Sequence, residues 1–580
     1  MNTLAITQLI WEQIQPNIDN APDIFTSASG DVSPLALQSR LLSGLDILCP
    51  TKRRHFDHQF MLIKASDSHL MLSLLQSEIK SRLPENNTAF AYHINEHKVT
   101  LTETQNRQDN FAASDSCLAA QWVESEILFG CVRQPDDETF KLQAGLVHKA
   151  NGGVLIIGLQ SLLDHPMLWL RLKNMVLNRE YQWFSNDDSH PLPFSIPPLP
   201  LDLRIILVGD RVSLSDLQEF DPDFYQTALY AEFEEDLFID KEQVITDWAS
   251  YLKAIAKYQN LPELDGSAYN PIMKAATRYL EDQYYFPLSP DWVNSLLSDA
   301  ARYADNVING EAIEKAIQQK DWREGYLLQR FREQIYAKQI MINTQDQIVG
   351  QINGLSVIEY PGYPKAIGEP TRLSCVVHFG DGEFIDIERK NELAGNIHSK
   401  GMMIMQSFIT SEFALQHQLP FSASLVFEQS YNEVDGDSAS LASLCVLMSA
   451  LAEQPIDQQL AVTGSVDQFG NIQPIGGINE KIEGFYAVCK NQGLTGQQGV
   501  VIPASNSRHL CLSDEVLDAI KNEQFSIWTV EHVSEALYLL TGIEYKNKSG
   551  INLYTLIQTR IQQMLSLDRK QGGLFSKWFK

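Results

Sequence analysis

The chain has 580 residues, of which 44% are hydrophobic and 20% are charged. This length exceeds what one hydrophobic core supports and predicts roughly three to four domains. The composition is that of a globular protein and not of a disordered chain. The formal net charge of −28 argues against nonspecific binding to nucleic acid or to an anionic membrane, because both require a basic protein surface.

The chain begins without a basic segment followed by a long apolar run. No window approaches the roughly 18 uninterrupted apolar residues of a membrane span, so we expect a cytoplasmic protein without one. The seven cysteines are odd in number and scattered, with no Cys-x-x-Cys pair and no Cys/His cluster. This spacing predicts neither a disulfide framework nor a zinc site, and we expect no bound metal.

The first part of the chain, 1–245, alternates apolar runs with helical patterns, which predicts an α/β domain. Continuous apolar runs at 60–63, 153–157 and 203–209 are typical of buried strands. The proline-rich run at 191–200 cannot be helical, because proline lacks the backbone N–H group and restricts the residue before it. We expect an extended loop there.

From 246 to 340 the apolar pattern becomes helical, which predicts a separate helical domain. The Ser-Pro pair at 289–290 is typical of a helix cap followed by proline in the first helical position. The Asn-Gly pair at 309–310 is expected to begin another helix. A long helix is predicted over 322–340, where it would connect this domain to the next one.

A turn is followed directly by an apolar helix in the next region. The turn is Asp-Gly-Asp at 435–437, and apolar residues recur at helical spacing over 438–452. Ser438 is therefore expected in the first turn of the helix. Free backbone N–H groups and the positive end of the helix dipole would favour a developing oxyanion at that position.

A lysine, Lys481, ends the segment Gly-Gly-Ile-Asn-Glu-Lys at 476–481. A desolvated lysine amine has a lowered pKa and can accept a serine proton near neutral pH, so Ser438 and Lys481 could form a dyad without histidine. The structural alternative is a helix cap at the serine and a solvated lysine. His398 is expected to be a histidine at a helix start, because no Gly-x-Ser-x-Gly motif occurs in the chain.

These motifs resemble the proteolytic domain of the Lon protease family, specifically its B-type branch. The family's nucleophile turn matches 436–440, and its segment ending in the general-base lysine matches 474–481. The resemblance covers 341–545 and implies an α+β proteolytic domain. It also implies that Ser438 is the catalytic nucleophile and Lys481 the general base.

The resemblance implies supporting roles for Thr463 and Asp437. Thr463 falls where a family threonine hydrogen-bonds the catalytic amine, and Asp437 matches the aspartate before the nucleophile in the B-type branch. Upstream, 351–355 and 395–401 resemble the same branch. The segment 462–477 resembles the family's strand–turn–strand before the lysine.

Residues 145–157 resemble the approach to the Walker B strand in the AAA+ module of B-type Lon proteins. That strand should end in an Asp-Glu pair, which holds magnesium and polarises the attacking water, but Gly158 and Leu159 stand there. The phosphate-binding loop Gly-x-x-x-x-Gly-Lys-Ser/Thr is missing too, since the chain contains no Gly-Lys pair. We expect a degenerate AAA+ domain and no ATP cofactor; the alternative is an unusual nucleotide site that uses Lys64.

The predicted architecture is thus multidomain α/β and α+β. It comprises a degenerate AAA+ α/β domain at 1–245, a helical lid-like domain and connector at 246–340, the proteolytic domain at 341–545, and a tail at 546–580. The tail has an amphipathic helical pattern and an apolar, basic end. That end is expected to fray or pack locally, the alternative being contact with a membrane surface or a partner.

The predicted function is that of a serine endopeptidase that cleaves peptides or unfolded proteins through a Ser-Lys dyad without ATP hydrolysis. Lon relatives form hexameric rings, so the resemblance implies a homohexamer in the cytoplasm, with no nucleic-acid partner and no cofactor. Two alternatives remain. The chain could be a non-proteolytic scaffold or adaptor with a Lon-like domain, or a protease that a partner ATPase supplies with substrate.

Overall fold

The computed structural model describes residues 6–575, except 17–20, 51–56, 84–88, 96–97, 105–110, 113–114, 134–139, 186–188, 190, 381, 383, 414–420, 431–434 and 548–549. The chain divides into two compact units. Unit 1 comprises Met1–Asn20, Asn270–Phe286 and Glu314–Lys580, and unit 2 comprises Ala21–Tyr269 and Pro287–Ile313.

The strands, in chain order, are β1 Thr7–Gln8, β2 Phe60–Lys64, β3 Ala89–Asn95, β4 Lys98–Thr104, β5 Cys117–Ala120, β6 Cys131–Arg133, β7 Lys141–Gln143, β8 Val154–Gly158, β9 Glu180–Tyr181, β10 Leu199–Pro200, β11 Arg204–Gly209, β12 Leu229–Glu232, β13 Asp236–Phe238, β14 Glu263–Leu264, β15 Tyr285–Pro287, β16 Val307–Ile308, β17 Gln347–Ile348, β18 Gln351–Ile358, β19 Ile367–Phe379, β20 Phe384–Asp386, β21 Phe421–Phe427, β22 Ile456–Asp457, β23 Leu460–Val462, β24 Ser465–Val466, β25 Ile472–Gln473, β26 Gly499–Pro503 and β27 Ser526–Val530.

The α-helices are α1 Ala21–Ser27, α2 Ser39–Leu48, α3 His69–Arg82, α4 Ser125–Phe129, α5 Leu146–Lys149, α6 Gln160–Leu163, α7 Pro166–Asn178, α8 Arg211–Phe220, α9 Pro222–Thr227, α10 Glu242–Tyr258, α11 Tyr269–Leu280, α12 Pro290–Ala301, α13 Gly310–Glu324, α14 Tyr326–Tyr336, α15 Ile387–Lys390, α16 Asn396–Glu412, α17 Ser440–Ala452, α18 Ile478–Gln492, α19 Asp514–Lys521, α20 Val533–Thr541 and α21 Leu553–Phe575. Short 3₁₀ helices occupy Trp11–Ile14, Gly266–Ala268 and Ala504–His509.

Unit 2 is built on a parallel sheet with the strand order β12-β2-β11-β8-β5. In its centre, Ile206 of β11 lies opposite Met61 of β2 and Ile156 of β8. Both faces of these central strands are buried, which explains their continuous apolar runs. The three strands predicted from the sequence are β2, β8 and β11, and the proline-rich run contains no helix and forms β10 at its end.

The helical region confirms two predicted helix starts and corrects one helix. Ser289 caps α12 by accepting a hydrogen bond from the Trp292 N–H group, and the Asn309 side chain does the same for Ala312 in α13. The prediction of a single helix over 322–340 is wrong. It is interrupted at Gly325, where α13 ends and α14 begins, because glycine is a poor helix former.

Unit 1 contains a mixed sheet with the strand order β1-β27-β26-β23-β18-β19-β21-β20. The apolar helix α17 packs against β18 and β19, and its residues from Ser440 to Met448 are all buried. The edge strand β1 comes from the N-terminus and pairs antiparallel with β27. The segments Met1–Asn20 and Asn270–Phe286 therefore belong with the proteolytic region, whereas the sequence boundaries had grouped them with the AAA+ and lid-like domains.

The tail forms the predicted amphipathic helix, α21. Leu553, Ile557 and Ile561 are buried and join the apolar cluster around α17, as apolar residues at helical spacing should. The apolar, basic end of the tail is the segment 573–580. Of this segment, residues 576–580 lie outside the described residues.

Candidate active site

The structure places Ser438 in a tight turn immediately before α17, two residues ahead of the helix. The helix begins at Ser440, and the Ser440 N–H group donates to the Asp437 carbonyl at 3.0 Å. The sequence prediction of the first helical turn was therefore displaced by two residues. Ser438 is half-buried, and the N–H groups of Asp437 and Ser438 donate no hydrogen bond to any described residue.

The segment at 463–466 fixes this turn from one side. The Gly464 N–H group donates to the Ser438 carbonyl at 2.8 Å, and the Thr463 hydroxyl donates to the same oxygen at 3.3 Å. The Ser465 hydroxyl donates to the Asp437 carboxylate at 2.9 Å. Thr463, which is fully buried, thus contacts the turn that carries Ser438, and no hydrogen bond joins it to the Lys481 amine in the described part of the chain.

The helix α16 fixes the turn from the other side. The Asp435 carboxylate accepts hydrogen bonds from the backbone N–H groups of Ile397 and His398 and from that of Gly436. Burial raises the pKa of Asp435, but these hydrogen bonds outweigh it and lower the pKa below its usual range. Asp435 therefore caps α16 from a distant loop and ties the approach to Ser438 to that helix.

His398 is a buried structural residue in the first turn of α16. Its Nε2 atom lies 3.1 Å from the Asp386 carboxylate, and its ring packs against Phe427. The histidine is only 3% exposed. This position agrees with the predicted histidine at a helix start, and no hydrogen bond joins His398 to Ser438 among the described residues.

Lys481 is the fourth residue of α18 and only 3% exposed. Burial lowers the pKa of its amine to about 8, while the negative charges of Asp437, Glu281 and Glu480 act in the opposite direction. Because Asp437 immediately precedes Ser438, the charge of the turn that carries Ser438 affects the pKa of the lysine. The amine forms no hydrogen bond or ion pair with any residue that the structure describes.

Two glycines let α18 lie directly on β19. A Cβ atom on Gly368 would lie 1.8 Å from the Glu480 carbonyl, and one on Gly484 would lie 2.4 Å from the Gly368 carbonyl. These distances are far shorter than any allowed contact, so only glycine permits this approach. The packing sets the depth of the helical turn that carries Lys481.

Buried amides hold the loop before α18. Asn506, which is fully buried, accepts a hydrogen bond from the Ile475 N–H group at 3.0 Å and donates to the Ile475 carbonyl at 2.8 Å. Asn479 donates to the His509 carbonyl and accepts from the Cys511 N–H group. The segment that leads to Lys481 is thus fixed at both backbone groups of Ile475.

Sequence reasoning missed two charged residues that contact α18. Arg278 of α11 donates hydrogen bonds to Glu480 at 3.0 Å and to Glu483 at 2.8 Å, and Glu281 accepts one from the Gly477 N–H group at 3.4 Å. All five residues lie in unit 1. No local motif marks Arg278 or Glu281, because their partners lie about two hundred residues later in the chain.

Comparison with known proteins decides the family. The chain is 46% identical over 567 residues to the "Putative Lon protease homolog" of Escherichia coli (strain K12), which covers 97% of this chain and 96% of that protein. The protein of the same name from Haemophilus influenzae is 40% identical over 584 residues, with 98% and 96% covered. The chain belongs to the Lon protease family. The predicted family and the multidomain α/β and α+β fold class are thereby confirmed.

Two family models match separate parts of this Lon chain. Residues 122–234 match the model "LonB-like, AAA domain", and residues 431–541 match "Lon protease (S16) C-terminal proteolytic domain". The "Archaeal Lon protease" of Methanocaldococcus jannaschii is 29% identical over 229 residues, which covers 37% of this chain and 30% of that protein. Ser438 and Lys481 both lie within the match to the proteolytic domain.

In the AAA domain of this Lon chain, the segment after strand β2 is short. Only four residues separate β2 from α3, too few for the eight-residue phosphate-binding loop. The Lys64 amine, which follows the apolar part of β2, is bound to the Glu235 carboxylate. A Cβ atom on Gly158 would lie 3.0 Å from the Asp67 carboxylate, so an acidic group lies beside the end of the Walker B-like strand.

The cavity next to Lys64 is acidic as well. It has a volume of about 530 Å³ and is lined by Arg40, Lys64 and the segment 230–236, whose four carboxylates outnumber the two basic side chains. This excess of negative charge repels phosphate groups.

The described residues contain no group of three or more His, Cys, Asp or Glu side chains that could hold a metal ion. No described helix is long and apolar enough to cross a membrane.

Proposed function

We propose that this Lon family chain is a serine endopeptidase in which Ser438 is the nucleophile and Lys481 the general base. One observation carries the proposal. The Lys481 amine is buried, and burial lowers its pKa to about 8. The negative charge of Asp437, the residue before Ser438, raises the same pKa and so opposes part of this effect. A lysine in this state can accept a proton at mildly alkaline pH, which a solvated lysine cannot do.

In the proposed reaction, the Ser438 hydroxyl attacks the scissile carbonyl while the Lys481 amine takes its proton. The ammonium then returns the proton to the leaving amine. In the second step the Lys481 amine takes a proton from the water that attacks the acyl-enzyme, and it returns this proton to the Ser438 oxygen as the acyl group leaves. The N–H groups of Asp437 and Ser438, which donate to no described residue, would stabilise the oxyanion. Thr463 would support the reaction by holding the Ser438 carbonyl through its hydroxyl group. The resemblance to the family implies a second role, orienting the Lys481 amine.

The dyad is tested by cleavage of unfolded casein and of a fluorogenic peptide. Ser438→Ala and Lys481→Met should each reduce turnover at least about 1,000-fold, because the two groups act as a unit. Matched controls are Ser407→Ala on α16 and Lys490→Met on the exposed side of α18, which should retain wild-type turnover. Wild-type turnover in Ser438→Ala would refute the assignment.

We further propose that cleavage does not depend on ATP hydrolysis. The short segment between β2 and α3, the pairing of Lys64 with Glu235 and the acidic cavity all support this proposal. Magnesium-ATP added to the casein assay should leave the rate unchanged. A several-fold stimulation that disappears with a non-hydrolysable analogue would contradict it.

The proposed substrates are peptides and already unfolded proteins, because an enzyme without an ATP-driven motor cannot pull on folded ones. We carry over from the resemblance that the protein is a homohexamer in the cytoplasm. Light scattering after gel filtration gives the molar mass and would test the hexamer. Folded substrates, such as native green fluorescent protein, should resist cleavage while their unfolded forms are degraded. The acidic chain is not expected to bind nucleic acid.

The same assay distinguishes the two alternatives. If pure wild-type protein cleaves nothing and Ser438 does not react with a serine-directed fluorophosphonate, a non-proteolytic scaffold or adaptor is favoured. If Ser438 reacts with the probe but casein is cleaved only after an ATPase-containing fraction is added, a partner ATPase supplies the substrate.

A further inference from the structure

The end of α11 meets the beginning of α18 within unit 1. Glu281 follows α11 in the left-handed conformation, with a φ angle of 53°, and its carboxylate accepts a hydrogen bond from Gly477. Gly477 precedes α18 and accepts the N–H hydrogen bond of Lys481 at 3.1 Å. Glu281 is thus joined through one residue to the backbone of the proposed general base.

One turn earlier in α11, Arg278 contacts two half-buried carboxylates of α18, Glu480 and Glu483. Its guanidinium group donates to both oxygens of Glu483, at 2.8 and 3.2 Å, to Glu480 at 3.0 Å and to the Cys511 carbonyl at 3.0 Å. Such a fork matches carboxylate geometry and resists rotation. The second oxygen of Glu480 is buried and has no hydrogen-bond partner among the described residues.

We propose that Arg278 and Glu281 are positioning residues that hold the first turns of α18, and with them the Lys481 amine, in the place and charge environment that peptide hydrolysis requires. The proposal rests on the function proposed above. Neither residue lies in the segment that matches the proteolytic-domain model, and neither needs to touch substrate.

The charges around Lys481 come from three elements. Asp437 belongs to the nucleophile turn, Glu281 to the end of α11 and Glu480 to α18 itself, and all three oppose the effect of burial on the amine. Arg278 partly neutralises Glu480 and its neighbour Glu483. The contact with β19 is made at the uncharged Gly368, and burial raises the pKa of the next residue, Glu369, to about 7. The 3₁₀ helix Ala504–His509 also packs against α18. It carries Arg508, which is paired with Asp282, and His509, whose pKa is lowered by burial.

Changes at the two positions should therefore act in opposite directions. In Arg278→Met, two carboxylates near Lys481 lose their counter-charge, the ammonium form is favoured, and the acidic limb of the pH–rate profile moves to higher pH. In Glu281→Gln, the amide oxygen can still accept the Gly477 hydrogen bond, but a negative charge is lost and the limb moves to lower pH. Each shift should be on the order of 0.5 pH unit.

The experiment measures kcat and KM with a fluorogenic peptide, and the labelling rate of Ser438 by a fluorophosphonate, from pH 6 to about 10. Opposite shifts in the two variants, seen in both readouts, are the expected result. Arg278→Lys keeps the positive charge without the fork, so it should lower kcat but leave the limb near its wild-type position. Arg560→Met breaks an exposed pair with Glu453 and serves as the control with a wild-type profile.

The outcomes separate this inference from the function beneath it. If wild-type Ser438 is labelled but the profiles of Glu281→Gln and Arg278→Met coincide with that of the wild type, the inference is overturned and the peptidase stands. If the fluorophosphonate does not label Ser438 in the wild-type protein, both the inference and the proposed peptidase function are overturned. Thermal unfolding of every variant checks the fold, and Glu281→Gln together with Arg278→Lys decides the question if Arg278→Met is unstable.

Discussion

The Ser465 hydroxyl donates a hydrogen bond to the Asp437 carboxylate at 2.9 Å and thereby joins β24 to the residue before Ser438. Ser465 is buried, while Asp437 is half-buried and also raises the pKa of Lys481. A single carboxylate therefore takes part in both the geometry of the turn that carries Ser438 and the charge balance around Lys481. This dual contact makes Asp437 and Ser465 informative positions for mutation.

The first prediction concerns Ser465→Ala. A hydrogen bond to a charged acceptor contributes about 1.5–3 kcal/mol, and its loss lets the Asp437 side chain move away from the turn. We expect kcat for a fluorogenic peptide to fall about tenfold with little change in KM, because the contact orders the reacting groups and does not bind substrate. Ser407→Ala is the matched control. Unchanged kcat in Ser465→Ala would mean that the contact does not order the nucleophile.

The second prediction concerns the pH dependence. Lys481 accepts a proton only as the neutral amine, so activity should be low below the pKa of about 8, rise through it and level off above it. Asp437→Asn removes a negative charge that favours the ammonium form, so the acidic limb should move to lower pH even if the plateau falls. The measurement is kcat/KM against pH for both proteins. A flat wild-type profile between pH 6 and 9 would contradict a lysine base.

The third prediction concerns the packing of α18 on β19. In Gly368→Ala the new methyl group would lie 1.8 Å from a backbone oxygen, so the helix must move away. Overpacking of this kind costs typically 1–3 kcal/mol, and we expect a value at the upper end together with a loss of activity, because Lys481 moves with the helix. Chemical denaturation gives the free energy of unfolding. Gly476→Ala, where a Cβ atom would meet nothing within 4 Å, is the control for stability.

Strands and caps with strong local signals could be predicted from the sequence. The apolar runs that became β2, β8 and β11 are buried on both faces, so every residue reports the same environment. The cap at Ser289 depends on one side chain and the three residues after it. In such cases the determining contacts lie within a few residues, and the pattern contains them.

Contacts between distant segments could not be predicted in this way. The two-residue strand β1 is too short for a periodic signal, yet it completes the sheet of unit 1 through its pairing with β27. Arg278 resembles any exposed helical arginine until α18 is placed beside it. The exact start of α17 also depends on a distant segment, since the Leu441 N–H group donates to the Gly464 carbonyl.

The fourth prediction concerns nucleotide binding by unit 2. A ligand that binds only the folded state at one hundred times its Kd adds about 2.7 kcal/mol to stability, which raises the midpoint of thermal unfolding. Because Lys64 is paired with Glu235 and the adjacent cavity is acidic, we expect magnesium-ATP and magnesium-ADP to leave that midpoint unchanged.

The control for the fourth prediction is Lys64→Met, which removes the one lysine considered for an unusual nucleotide site. Wild type and Lys64→Met should respond alike, with no shift up to millimolar nucleotide. A rise in the midpoint that Lys64→Met abolishes would establish the unusual site and contradict the loss of ATP binding. A rise that persists in Lys64→Met would also contradict it, and would place the nucleotide away from the segment between β2 and α3.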